Sequence, residues 1–464
     1  MTFNLKNYTV LAFTLLSLSG CSTNKLLTTA PQTKSDNSAV IEPVVSDKTL
    51  NTSVTKQALV PPDNPDKVTN AKVLQYVKLL TAKGFPGKNQ GVWIQSENTL
   101  LANHQGTVPL PAASLSKVAT TLIALQTFGA EHQFITRIGA TGPIKDGVLK
   151  GDLIVEGAED PFFVWEEAIA LGNILNQIGI KQVTGNLVIV GKLYMNFKDD
   201  PLTTGNFLKQ SFNSQIWSAE VKTVHQSLPP GTPQPQIIIN GITKSLSASP
   251  RNLQPLVQHY SYPLAELLKK MNLYSNNFMA DKLADAVGGA KVVAQKAAIT
   301  TGIPTAEIQL VNGSGLAIEN RISPRAVCAM FIAIEKYLQP QNMTIADVFT
   351  IVGQDKGILD KRPLPKFAVV KTGSFDNTSN LAGALPTEKE KTVWFVVMNS
   401  DGKLDNLNSD KKAAGKSFEY FRTQQDALLK SFANKWGTVK TQPSELTPNP
   451  ERNSKTSRNE IVKK

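Results

Sequence analysis

LPAASLSKVATTLIAL, residues 110–125, runs a proline and three small residues into a helical pattern whose first turn carries Ser114 and Lys117. From Leu115 the apolar positions Leu115, Val118, Leu122 and Leu125 keep the spacing of one helix face, and Gly129 supplies a stop. At a helix start the side chains at i and i+3 share a face, so an amine at 117 reaches a hydroxyl at 114. The N-terminal amides of the same helix favour a developing negative charge. Ser-x-x-Lys alone is a weak signal: it recurs at Ser22–Lys25, Ser53–Lys56, Ser400–Lys403 and Ser409–Lys412, in tether and loop contexts. Taken alone, Ser114 as a helix cap and Lys117 as a solvated side chain is the simpler reading.

Two further triplets change that balance. Lys371-Thr372-Gly373 occurs once, inside FAVVKTGSF (367–375), which reads as a buried strand and continues into Ser374. Ser275-Asn276-Asn277 sits between two helical patterns, YPLAELLKKMNLY (262–274) and NNFMADKLADAVGG (276–289). It competes with Ser211-Phe212-Asn213, which lacks strong flanking helices, and Ser275 with Asn277 is preferred. The order Ser-x-x-Lys, Ser-x-Asn, Lys-Thr-Gly is the signature of penicillin-binding proteins and serine β-lactamases.

Around these motifs, GVWIQSENTLLANHQGTVPLPAAS (91–114) reads as strand, turn and strand leading into the helix. GDLIVEG, GNLVIVG and PQIIING are short apolar runs bounded by glycine or proline and mark residues 141–257 as a β-rich insertion. Residues 65–140 and 258–436 then form one domain around it. SPRAVCAMFIAIEKYL (323–338) is a helix capped by Ser323, KTVWFVVMNS (391–400) a buried strand, and a helix over 411–436, broken at Gly415, closes the domain. The fold class is α/β in the α+β sense.

The termini bear on compartment. Residues 1–21 carry Lys6, an apolar run too short to span a bilayer, and Leu18-Ser19-Gly20-Cys21. That ending resembles the lipobox of bacterial lipoproteins, which implies lipidation at Cys21 and a chain exported and anchored to a bacterial membrane, facing the periplasm or cell wall. Residues 22–64 have the composition of a disordered tether and 437–464 that of a disordered tail. The other cysteine, Cys328, reads as a small core residue. The net charge of +12 is scattered, with no nucleic-acid motif, and the four histidines show no ligand spacing. No metal, cofactor or nucleic acid is expected.

PAASLSK, GDLIVEGAEDP, YSNNFMADKLAD, NGSGL, NRISP, GQDKGILDKR and KTGSFDNTSNLAGAL are similar to landmarks of the D-alanyl-D-alanine carboxypeptidase/endopeptidase family, peptidase family S13, the low-molecular-weight class C penicillin-binding proteins. Ser275 lies 161 residues after Ser114, which suits a family with domains inserted behind the nucleophile helix. The resemblance implies a penicillin-binding, serine β-lactamase-like transpeptidase fold: an antiparallel sheet flanked by helices, plus an all-α lobe. It implies Ser114 as nucleophile, Lys117 as its base, and Ser275 as proton relay to the leaving amine. Asn277 would bind the substrate peptide, and Lys371, Thr372 and Ser374 its terminal carboxylate. Gly373 would allow close approach of substrate to the strand. The amides of Ser114 and Ser374 would form the oxyanion hole. The partners implied are peptidoglycan stem peptides, with β-lactam antibiotics as covalent inhibitors. Carboxypeptidase and endopeptidase activity share a bond type and stay unranked. A β-lactamase of the same fold and a non-catalytic wall-binding lipoprotein remain the alternatives.

Overall fold

Strand Val369–Phe375, which carries the Lys-Thr-Gly triplet, lies second from the edge of a six-stranded antiparallel sheet. Its neighbours run in the order Thr350–Ile351, Val369–Phe375, Thr378–Thr387, Lys391–Ser400, Gln90–Ser96, Thr99–His104. The computed structural model describes residues 64–375, 377–402, 411–451 and 456–462. The leader, Cys21 and the tether through residue 63 lie outside the described residues.

The central strands are apolar on both faces because both faces are covered. Val92, Ile94, Val393, Phe395 and Val397 turn toward helices Lys67–Ala82 and Lys411–Trp436, where Val73, Leu80, Phe421 and Phe432 meet them. The alternating residues Trp93, Trp394, Val396 and Met398 turn the other way, onto helices Ser116–Phe128 and Pro324–Leu338. Burying each such side chain contributes about 1.5–3 kcal/mol. Helices Leu264–Leu273, Asn277–Ala286 and Ala290–Thr301 complete an α lobe around Ser116–Phe128. The first strand, Thr350–Ile351, pairs only with Val369 and Val370. Among the described strands, none pairs with the outer edge of Lys371–Phe375.

The insertion begins earlier and ends later than 141–257. Its main sheet includes Ile135–Ala140 and Gln254–Tyr260, which pair with each other. The sheet is mixed: Leu153–Ala158, Leu187–Lys192 and Thr243–Leu246 run parallel. Parallel neighbours need crossovers, and helices Trp165–Gln177, Pro201–Ser211 and Ala219–Ser227 lie in them. The insertion is therefore α/β, not simply β-rich. Helices Lys67–Ala82 and Ala290–Thr301 and strand Thr378–Thr387 also escaped the sequence reading, and the last helix runs unbroken through Gly415.

The tail departs most from expectation. Leu446 is buried in the α-lobe core, and the Asn449 N–H donates to Asp347 Oδ1 at 3.0 Å. Arg458–Ile461 then adds an antiparallel strand to Gln254–Tyr260 at the edge of the insertion's sheet. Polar composition misleads here because the ladder is made by backbone groups. Ser457 Oγ donates to Glu167 Oε2, and His259 Nδ1 lies 3.0 Å from Asn459 Oδ1. His259 Nε2 then faces Asp160 Oδ2 at 3.9 Å and Glu167 Oε2 at 3.8 Å, all three side chains buried.

Burial pushes the carboxyls of Asp160 and Glu167 up to about 7 and His259 down to about 4. Between roughly pH 4.5 and 6.5, then, the folded cluster holds protons on both carboxyls while the unfolded chain holds one, on the histidine. Folding takes up a net proton, so stability from this cluster is greatest at the acid end and falls as pH rises, by about 1.4 kcal/mol per pH unit. Glu167→Gln equalises the proton count and keeps an acceptor for Ser457. Urea unfolding across that window should give the variant a pH dependence flatter by about that slope; parallel curves would refute the assignment.

Candidate active site

Ser114 sits in a single 3₁₀ turn, Ala113–Leu115, that feeds helix Ser116–Phe128. Ala113 is left-handed at φ +47°, a strained setting for a residue with a side chain. The turn is held from two sides. Asn380 Nδ2 donates to the carbonyls of Pro111 and Ala112 at 2.9 and 3.0 Å, and the Ala112 N–H donates to Asn320 O at 2.8 Å. Two glycines make room for it. A Cβ on Gly315, at φ +84°, would lie 1.8 Å from Ala113 O; one on Gly373 would lie 2.8 Å from Ala112 O. Gly373 thus admits the Ser114 turn against the strand. That is a different close approach from the one expected of it.

Lys117, on the next turn, is fully buried. Its Nζ lies 3.0 Å from Ser114 Oγ, 2.8 Å from Asn277 Oδ1 and 2.6 Å from Ser314 O. Burial lowers its pKa to about 7, with the negative charge of Asp281 opposing. A neutral amine has two N–H groups and one lone pair. The two oxygens of Asn277 and Ser314 can only accept, so they take both N–H groups, and the lone pair is left for the Ser114 hydroxyl. This is the geometry of a base poised on a serine.

Helices Leu264–Leu273 and Asn277–Ala286 are joined through Ser275, whose φ of +52° turns the chain sharply. Asn276 caps the second helix by accepting the Met279 N–H at 3.0 Å, which leaves Asn277 as its first residue. Lys371 Nζ donates to Ser275 Oγ at 2.9 Å and to Thr372 O at 2.8 Å. Lys371 is buried; that burial, and secondarily the charge of Lys117, holds its amine well below the ordinary lysine range. Thr372 is half-buried and Ser374 exposed, at the end of the strand beyond the turn. All three motifs meet at one place.

Four contributors were missed. The Ser314 carbonyl enters the site, and no side-chain pattern announces a carbonyl. Asn320 and Asn380 act across large sequence separations. Asp281 accepts the Ser314 N–H at 2.8 Å, and its spacing four residues after Asn277 was a legible sign of a shared helix face. The competing Ser211-Phe212-Asn213 is structural: Ser211 Oγ bonds Phe207 O at 2.9 Å, and Asn213 Oδ1 accepts the Gln215 N–H at 3.1 Å.

The family model for the D-Ala-D-Ala carboxypeptidase 3 (S13) family matches residues 73–230 and 235–422. The D-alanyl-D-alanine carboxypeptidase DacB of Haemophilus influenzae is 24% identical over 437 residues, covering 72% of this chain and 90% of the relative. A predatory endopeptidase of Bdellovibrio bacteriovorus superposes with a TM-score of 0.61 at 21% identity, over 77% of this chain and 96% of that one. Penicillin binding protein 4 of Haemophilus influenzae gives 0.56 at 21% identity, over 78% and 99%. These two structures carry the fold, that of the penicillin-binding proteins. The family model spans most of both lobes and all three motifs, and the chain belongs to the D-Ala-D-Ala carboxypeptidase 3 (S13) family.

Proposed function

We propose that this chain is a serine-type D-Ala-D-Ala carboxypeptidase, with D,D-endopeptidase activity at the same bond type, acting on peptidoglycan stem peptides. The observation that carries the reading is the Lys117 amine, buried and turned by two acceptor oxygens toward Ser114. The substrate's C-terminal residues would lie along the open edge of Lys371–Phe375, with the terminal carboxylate at Lys371, Thr372 and Ser374. An arriving carboxylate favours the charged form of Lys371 and offsets its lost hydration. Ser114 Oγ attacks the amide carbonyl as Lys117 takes its proton. The amides of Ser114 and Ser374 hold the oxyanion. Ser275, joined to Lys371, relays the proton that Lys117 has taken on to the leaving amine, so Lys117 is neutral again as D-alanine departs. Water then attacks the Ser114 ester, its proton goes to Ser114 Oγ by way of Lys117, and the shortened peptide leaves. Asn277 both holds Lys117 and flanks the peptide.

A β-lactam presents a strained amide to the same serine. Benzylpenicillin should leave a lasting mass adduct on the Ser114 peptide, absent in Ser114→Ala. Rapid release of penicilloic acid would favour the β-lactamase reading, and no adduct at all the non-catalytic one.

Lys371→Ala should lower turnover of a D-Ala-D-Ala peptide by a few orders of magnitude, since truncating one partner of a buried charge pair costs about 2–5 kcal/mol. Amidating the substrate's terminal carboxylate should harm the wild type and add little to that loss in the variant. Equal losses in both proteins would remove Lys371 from carboxylate recognition.

Among the described residues no helix is long and apolar enough to cross a membrane. Anchoring is assigned to a lipid on Cys21, placing the enzyme outside the cytoplasm at a bacterial membrane. Cys21→Ser should abolish fatty-acid labelling and shift the protein from the membrane pellet unless it stays uncleaved; a labelled variant would rule this out.

A further inference from the structure

The loop Asn312–Gly315 is packed between the nucleophile helix and helix Asn277–Ala286. Thr120 Oγ1 donates to Gly313 O at 2.9 Å, and a Cβ on Gly313 would lie 2.4 Å from Ala284 Cβ and 2.5 Å from Ala280 O. Ser314 presents its two backbone groups to two different partners. Its carbonyl accepts from Lys117 Nζ at 2.6 Å, and its N–H donates to Asp281 Oδ1 at 2.8 Å. The next amide, Gly315 N–H, donates to Asn312 Oδ1 at 2.8 Å, which steadies the same carbonyl from the far side. Asp281 is half-buried and makes no ion pair among the described residues, whereas the neighbouring Lys282 is engaged with Asp199.

We infer that Asp281 is a positioning residue for the Lys117 base: its carboxylate anchors the Ser314 carbonyl that orients the amine, and its negative charge sets the acidic limit of acylation. The inference rests on the proposed role of Lys117. Five groups surround that amine: Ser114 on its own turn, Asn277 and Asp281 on the facing helix, the Ser314 carbonyl on the loop, and Lys371 across the site. Asp281 and Lys371 are the ionisable groups among them, and a negative charge on the one acts on the amine in the opposite sense to a positive charge on the other. A carboxylate here keeps some of the amine protonated against the effect of burial. It therefore holds Lys117 close to neutrality in pH, where a proton can be both taken and returned.

The charge and the hydrogen bond can be separated. Asp281→Asn keeps an acceptor for the Ser314 N–H and removes the charge. Its second-order rate of acylation by benzylpenicillin should keep a plateau within about threefold of wild type, while the acid limb of the pH profile moves at least ~0.5 unit toward lower pH. Asp281→Ala removes both, so the plateau should also fall about tenfold or more as the Ser314 carbonyl loses its anchor. Asn312→Asp is nearly isosteric, keeps the Gly315 acceptor and adds an anion to the same loop; its acid limb should move the other way. A residue of merely structural importance would change amplitude and stability but not the limb. If the wild type acylates and the limb stays fixed in Asp281→Asn and Asn312→Asp, the inference is overturned while the function stands. If the wild type does not acylate at all, it is the reading of the site that fails.

Discussion

An amine with no contact with water must have its N–H groups satisfied, and no single segment of this chain can do that for Lys117. Its three oxygens come from the 3₁₀ turn before its own helix, from the first residue of helix Asn277–Ala286, and from the loop at Ser314. Each must be placed to within a few tenths of an ångström, because an unpaired buried polar group costs about 1–3 kcal/mol. Much of the α lobe follows from this demand. Helix Ser116–Phe128 is buried on nearly all sides so that the amine stays dry, and the surrounding helices fix the three acceptors.

The same demand explains where the backbone is strained. Ala113 and Ser275 take left-handed conformations that side chains disfavour; the first precedes Ser114 and the second carries the hydroxyl that Lys371 bonds. Their neighbours hold them there: Asn380 and Asn320 grip the turn before Ser114, and the Asn276 cap fixes the helix after Ser275. Strain of this sort persists only when the surroundings over-determine it. At the Ser114 turn the absence of a side chain at Gly315 and Gly373 serves the same end.

How much of this was legible in sequence depended on the kind of group involved. Ser114, Lys117, Ser275, Asn277 and Lys371 stood out because they are side chains at short spacings within or beside recognisable elements. The central strands were readable from their apolar runs. The helix Trp165–Gln177 was not, although its pattern has helical spacing, because glycine-bounded strand signals on both sides dominated the reading of the insertion. The Ser314 carbonyl could not be read, since every residue has one and only the fold selects which is used. The strand Arg458–Ile461 was hidden for a related reason: it docks through a backbone ladder onto an exposed edge, and a polar sequence serves that purpose as well as an apolar one.

The two main sheets share a feature of chain order. In the catalytic lobe, Gln90–Ser96 lies between Thr99–His104 and Lys391–Ser400, so one of its neighbours emerges some three hundred residues later. In the insertion, Gln254–Tyr260 receives its outer partner only from Arg458–Ile461. A chain delivered N-terminus first therefore cannot complete either sheet until almost all of it is available. Contacts of such long sequence separation make for slow folding, and strand edges left waiting are sites of misassembly. Until Thr378–Thr387 arrives, the strand that carries Lys371 has only Thr350–Ile351 beside it, and Asn380 is not yet there to hold the turn before Ser114.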